Sequence, residues 1–223
     1  MEGERAIDGV TFGSIYCEDL GLILSHRELG NPKPKTNLIE IPGSSVILDF
    51  TEAFGEIQYG GRKISLEFIG ADPWPDHYEL ESAARNALHG QRMQIRFDED
   101  DSFYFVGRIS IDSWVYRKRG GKVKMTIDAD PWKYKDKTAE LYGIGSTFIS
   151  MPIKNEGLRN AVPTISPKAM LDVKVGDETV TILPGSGDYK NSNLFFAPGD
   201  NTFEYRGANN QDLATVTWTE VHL

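Results

Sequence analysis

The side chains that could do chemistry are few and scattered. Cys17 is the only cysteine. It lies between Tyr16 and Glu18 with no histidine near it in sequence, and reads as a small buried hydrophobe rather than a nucleophile. A single cysteine also excludes an intrachain disulfide and a cysteine-based structural zinc site. The four histidines, His26, His77, His89 and His222, are never spaced i, i+3 or i+4, so no helical metal clamp exists. His89 falls in the last turn of an expected helix, where the dipole favours its protonated form. No Gly-x-Ser-x-Gly elbow occurs. Gly143-Ile144-Gly145 and Gly185-Ser186-Gly187 lack the Lys-Ser/Thr or helix N-terminus that binds phosphate, and read as turns. Asp98-Glu99-Asp100-Asp101 has the oxygens calcium takes. Its spacing is not that of an EF-hand, however, and strand-like runs flank it, so a charged hairpin tip is expected. Arg117-Lys118-Arg119 reads as a second charged turn. With 33 Asp and Glu residues, a facing carboxylate pair can be drawn almost anywhere, which gives a glycosidase reading no specificity. The expectation is no catalytic residue, no cofactor and no metal: not an enzyme.

Four tryptophans, Trp74, Trp114, Trp132 and Trp218, are spread along the chain. Trp218 lies in the alternating run Val216-Thr217-Trp218-Thr219, which points to a core position more than to sugar stacking. Two Asp-Pro-Trp triplets, at 72–74 and 130–132, close strand-like runs, because proline cannot donate to a ladder.

The elements that would position these residues are mostly strands. The 22 glycines and 11 prolines are distributed evenly, with short Val-, Ile-, Phe-, Tyr- and Thr-rich runs between them. Residues 63–69 alternate cleanly, with Ile64, Leu66 and Phe68 on one face and Lys63, Ser65 and Glu67 on the other. One helix is expected over residues 76–89. Asp76 and Glu79 form a capping box, Leu80, Ala83, Ala84, Ala87 and Leu88 make one apolar stripe, and Gly90 stops it. Three strands over residues 93–127 read as a meander. Residues 31–37, rich in proline and lysine, read as an exposed link or the base of an arm. Residues 38–70 carry two strand runs joined by polar, glycine-rich chain. Residues 135–147 look like a connector. Beyond them, strands are expected at 170–175, 178–183, 193–197, 202–206 and 213–221, with turns between, as in a β-sandwich. The expected fold is therefore mainly β: an α+β N-terminal domain over 1–137 with one helix, and a β-sandwich over 138–223.

The chain has 223 residues, 39% hydrophobic and 26% charged, with a net charge of −9. That composition is globular. The acidic balance argues against a nucleic-acid binder, which needs a basic face. The charge is shared, −5 over residues 1–139 and −4 over 140–223. No apolar window is long enough for a membrane helix. The charged start Met1-Glu2-Gly3-Glu4-Arg5 has no apolar run behind it, so no signal peptide is expected, and synthesis in a cytoplasm is.

Several stretches, in order, resemble the distal tail proteins (Dit) of siphovirus-type bacteriophages and prophages. They are Ile7-Asp8-Gly9-Val10 and Leu20-Gly21-Leu22, then Glu40-Ile41-Pro42-Gly43 leading to Leu48-Asp49-Phe50-Thr51-Glu52. Gly61-Arg62-Lys63-Ile64-Ser65-Leu66-Glu67-Phe68 precedes the helix. Phe103-Tyr104-Phe105-Val106-Gly107-Arg108 and Asp128-Ala129-Asp130-Pro131-Trp132-Lys133-Tyr134 follow it. Asn155-Glu156-Gly157, Ala161-Val162-Pro163 and Ala197-Pro198-Gly199-Asp200-Asn201 fit the second half.

This resemblance implies a virion structural protein of the tail tip or baseplate, assembled in the bacterial host cytoplasm. Its ring, usually a hexamer, joins the tail tube to a tail-associated fibre or lysin protein, with a tape-measure protein as a further partner. It also implies a galectin-like C-terminal sandwich and an N-terminal β-arm that embraces the neighbouring copy. The arm contacts are expected from Thr51, Glu52, Phe54, Ile57, Tyr59 and Arg62. Such an arm adds strands across subunits through main-chain hydrogen bonds. Neither nucleic acid nor membrane is expected as a partner. The competing reading is a carbohydrate-binding sandwich that recognises a bacterial cell-wall glycan.

Overall fold

The computed structural model describes residues 9–53, 55–70, 77–116, 121–143, 145–208 and 211–223. Two compact units divide the chain: Met1–Lys133 with Leu223, and Tyr134–His222.

The first unit begins with β1 (Val10–Phe12) and β2 (Ile15–Tyr16), then a 3-10 turn at Cys17–Leu20 and β3 (Leu22–Leu29). A small two-stranded ribbon follows, β4 (Leu38–Glu40) and β5 (Ile47–Asp49). Next come β6 (Arg62–Gly70), α1 (His77–Leu88), β7 (Arg92–Phe97), β8 (Phe105–Tyr116) and β9 (Gly121–Ala129). Seven of these strands form one sheet in the order β2-β1-β7-β8-β9-β6-β3. β7, β8 and β9 are the expected meander.

Alternation decides which face of this sheet is dry. Ile64, Leu66 and Phe68 of β6, Val123, Met125 and Ile127 of β9, and Ile109 and Ile111 of β8 point into one core. Glu67 points the other way and pairs with Lys122 and with Lys124, the latter at 2.8 Å. The helix closes the core with Ala84 and Leu88, both fully buried, while Leu80 and Ala87 pack at its margin. Ala83, expected in the stripe, is exposed. Gly90 stops the helix with φ at 77°. Asp76, the expected cap, lies outside the described residues, as do Trp74 and Arg117-Lys118-Arg119.

The second unit contains β10 (Lys133–Tyr142), β11 (Gly145–Asn155), β12 (Thr164–Pro167), β13 (Leu171–Val175) and β14 (Glu178–Ile182). It ends with β15 (Tyr189–Lys190), β16 (Gly199–Gly207) and β17 (Asp212–His222). One sheet runs β10-β17-β12-β15 and the other β11-β16-β13-β14. Leu141, Ile165, Val216 and Trp218 from the first sheet share a core with Ile153, Val173, Phe203 and Tyr205 from the second. This is a four-on-four β-sandwich, so the chain as a whole is mainly β.

Two expectations fail here. Residues 135–147 are not a connector, because β10 and the start of β11 run through them. β10 is an edge strand, and edge strands carry charges that deter further pairing. Asp136, Thr138 and Glu140 face solvent while Leu141 is buried, so its alternation is masked by an unusually polar outer face. Residues 193–197 are not a strand either. Apart from a single bridge between Ala161 and Phe196, they run as turn chain, with Asn193 N–H donating to Asn191 Oδ1 at 2.9 Å.

Candidate functional site

The residues with chemical potential are dispersed into separate structural roles. Cys17 is 1% exposed, and burial pushes its thiol up, away from the thiolate that nucleophilic chemistry needs. In the acidic run, Asp98 accepts the Tyr16 hydroxyl at 2.7 Å, Asp100 accepts Ser102 at 2.5 Å, and Glu99 pairs with Arg27. The run starts a 3-10 turn at Asp98–Asp100 between β7 and β8. Among the described residues, no group of three or more His, Cys, Asp or Glu side chains converges. The Nδ1 of His89 accepts the Ile111 backbone N–H at 3.0 Å.

The feature without an internal explanation is the excursion between β3 and β6. It leaves the sheet at Gly30, whose N–H donates to the Lys63 carbonyl at 2.8 Å. The outgoing and returning chains then run side by side. Lys35 N–H donates to Gln58 O at 2.7 Å, Gly60 N–H to Lys33 O at 2.8 Å, and Pro34 bridges Tyr59. Further out, Asn37 N–H donates to the Thr51 hydroxyl at 3.0 Å and Phe50 N–H to Asn37 O at 2.8 Å. The ribbon β4–β5 follows, in the register Leu38↔Asp49, Ile39↔Leu48, Glu40↔Ile47. Its tip turns at Pro42-Gly43, with Gly43 at φ 81° and Ser44 N–H donating to Ile41 O at 3.0 Å.

The register sorts the side chains. Ile39 and Leu48 lie opposite one another on one face, and strand alternation continues that face through Ile41, Val46 and Phe50. The other face carries Leu38 and Ile47 with Glu40 and Asp49. Thr51, through its hydroxyl and backbone N–H, holds the Asp49 carboxyl below the usual carboxylate range. Every residue from 33 to 50 is exposed, with Val46 and Ile47 at 55% and Leu38 at 53%. Burying such a side chain fully is worth ~1.5–3 kcal/mol, so completing the burial of five half-exposed ones would yield about 4–7 kcal/mol. A contiguous apolar surface of this kind marks an interaction site. A lone two-stranded ribbon is at best marginally stable in water, so a partner surface would also stabilise the ribbon.

The six residues expected to make arm contacts fall mostly on the return limb. Thr51 is half-buried and braces Asn37, Glu52 is exposed, and Ile57 is half-buried. Phe54 lies outside the described residues. Tyr59 packs edge-on against Trp132, ring centroids 5.5 Å apart. Arg62 opens β6 and is buried at 8% exposure, its Nε donating to Pro131 O at 3.0 Å and its guanidinium over the Phe105 ring. Tyr59 and Arg62 therefore anchor the root of the arm. The apolar face, Ile39, Ile41, Val46, Leu48 and Phe50, is absent from that set. Its signal is Val46-Ile47-Leu48 and Leu38-Ile39: apolar residues at consecutive positions, which belong to a strand covered on both faces, in a segment with no room for a second core.

No protein-family model and no curated protein sequence matches the chain. Solved structures do. The Dit protein of phage SPP1, described as a paradigm of the hub adsorption apparatus in phages infecting Gram-positive bacteria, superposes with a TM-score of 0.62 at 15% identity. The match covers 98% of this chain and 100% of that one. Chains of the phage p2 baseplate in its activated conformation also align. The strontium form gives a TM-score of 0.46 at 8% identity over 95% of this chain and 98% of that one. The calcium form gives 0.49 at 9% over 98% and 99%. The chain thus has the fold of a phage Dit hub protein along its whole length.

Proposed function

We propose that this Dit-like chain is a structural hub protein of a phage tail tip or baseplate, acting by assembly and not by catalysis. Copies close into a ring, a hexamer, with the domain of residues 1–137 forming the ring and the domain of residues 138–223, a galectin-like sandwich, facing outward. The apolar face of each β4–β5 ribbon lies on the next copy. The same operation repeated around an axis closes the ring and buries every arm. The ring joins the tail tube and tape-measure protein above to a fibre or lysin protein below, and is assembled in the host cytoplasm.

The observation that carries this reading is the solvent-facing apolar ribbon on a chain with a whole-length hub fold. Among the described residues, no helix is long and apolar enough to cross a membrane. Negative-stain electron microscopy of the purified chain tests the proposal. Closed rings with six-fold symmetry are expected. Single particles of 24.9 kDa with no closed ring at any concentration would overturn it.

A further inference from the structure

A ring-closing contact is heterologous: the surface a copy gives differs from the surface it takes. If the arm is what each copy gives, the surface it meets must be exposed, apolar and elsewhere on the chain. Among the described residues of the first unit outside the arm, the large apolar side chains left exposed are Ile23, Leu29, Ile69, Tyr78, Val115 and Tyr116. Leu29 ends β3 at the root of the arm. Three of the others fall on one line across the large sheet. Ile23 of β3 stands opposite Ile69 of β6, Ile69 opposite Lys122 of β9, and Lys122 opposite Val115 of β8. Ile23, Ile69 and Val115 are exposed at 44%, 46% and 45%. Their strand neighbours Leu22, Phe68 and Val123 are fully buried, so alternation turns the row to the outer face of the sheet. The next row on that face, His26, Glu67, Lys124 and Ser113, is polar. An apolar row on an otherwise polar face has no partner in its own chain and marks an interaction surface.

Three observations match this row to the arm. The first is position. The arm leaves the sheet beyond Leu29, six residues along β3 from Ile23 and so about 20 Å away. Donor and acceptor at opposite ends of the domain suit a head-to-tail contact, and every residue from 33 to 50 is exposed, so the arm does not cover its own row. The second is length. Four strands span about 14 Å at ordinary spacing, and the arm's apolar face from Val46 to Phe50 spans about the same along its strand. The third is charge. Residues 36–58 carry Glu40, Asp49, Glu52 and Glu56 and no lysine or arginine. On a chain of net charge −9, most of a neighbour's surface repels such an arm. The row holds Lys122 and lies beside Lys124, and the two ammonium groups share the single carboxylate of Glu67. One positive charge is therefore left over where the acidic arm would settle.

We infer that the row Ile23-Ile69-Lys122-Val115 is the acceptor for the arm of a second copy of this chain. The inference rests on the hub reading, in which the arm packs on the next copy, and adds where on that copy it lands. The ribbon lies across the four strands with Ile39, Leu48 and Phe50 against the aliphatic side chains, and Lys122 meets the acidic margin of the arm.

Site-directed cross-linking tests the docking separately from the ring. Full-length Leu48→Cys and Ile69→Cys chains are mixed and treated with a short bismaleimide. The native Cys17 is 1% exposed, and wild type treated alone controls for it. A covalent pair of twice 24.9 kDa is expected from the mixture and from neither variant alone. Lys63→Cys, six residues along β6 and about 20 Å from the row, should give no product in place of Ile69→Cys. Adding Val115→Asp to the Ile69→Cys chain sets a carboxylate against the acidic arm and should abolish the product, with circular dichroism unchanged. Closed rings by electron microscopy without the Leu48–Ile69 product, or equal product with Lys63→Cys, would overturn the inference and leave the hub reading standing. The specific product without closed rings would support the docking and overturn the ring.

Discussion

Glu67 shows how a single carboxylate links the open face of the large sheet to pH. Two ammonium groups, from Lys122 and Lys124, lower its pKa to about 2. Because the folded value lies below the unfolded one, the stabilisation is complete above ~4.3, the usual glutamate pKa, and fades as pH falls toward 2. Glu67→Gln should therefore lower the melting temperature at neutral pH, and the gap from wild type should close on acidification through that window. Thermal melts across pH read this directly; a gap constant with pH would contradict it. Asn155, 1% exposed, ties the turn after β11 together. Its amide donates to Arg159 O and Phe196 O, both at 2.8 Å, and its Oδ1 accepts Gly157 N–H at 2.9 Å. Asn155→Ala leaves these buried backbone groups short of a partner and should cost about 1–3 kcal/mol in urea unfolding; a loss within error would refute that role. Sequence alone marks Asn155 only as part of a resemblance, because a buried amide's partners are set by chain far away in sequence.

Elements are legible in proportion to how much of their pattern the chain itself buries. β6 and α1 each set an apolar stripe against a polar one, and the structure places them within a residue of expectation. β10 escapes a sequence reading because its inward members, half-buried Ala139 and buried Leu141, are outnumbered by charged edge positions. The ribbon β4–β5 is the opposite case. Its strands are recognisable at 39–41 and 46–50, but its apolar face has no counterpart in the same chain, so the expected contact residues fall on the limb at 51–62 instead. Hydrogen–deuterium exchange follows from this geometry. In a dissociated protomer the amides of residues 38–49 should exchange rapidly, since a solvated two-stranded ribbon opens easily. In the assembled protein the same amides should be protected. Equal, fast exchange in both states would mean that the arm docks on nothing.

At the scale of the molecule, the net charge of −9 makes copies repel one another, so any ring must be held by contacts strong enough to outweigh that field. In the proposed ring the arm supplies those contacts, and its side chains can be changed without touching either core. Ile39→Ser together with Leu48→Ser alters two exposed residues, and surface changes of this kind ordinarily shift protomer stability by no more than about 0.5 kcal/mol each. The decisive measurement is the solution mass by light scattering of wild type and this double variant at matched concentration. Wild type is expected at six times 24.9 kDa and the variant at one, with unchanged circular dichroism. A monomeric wild type, or a variant that keeps the full assembly, would contradict the claim that the apolar arm builds a hub.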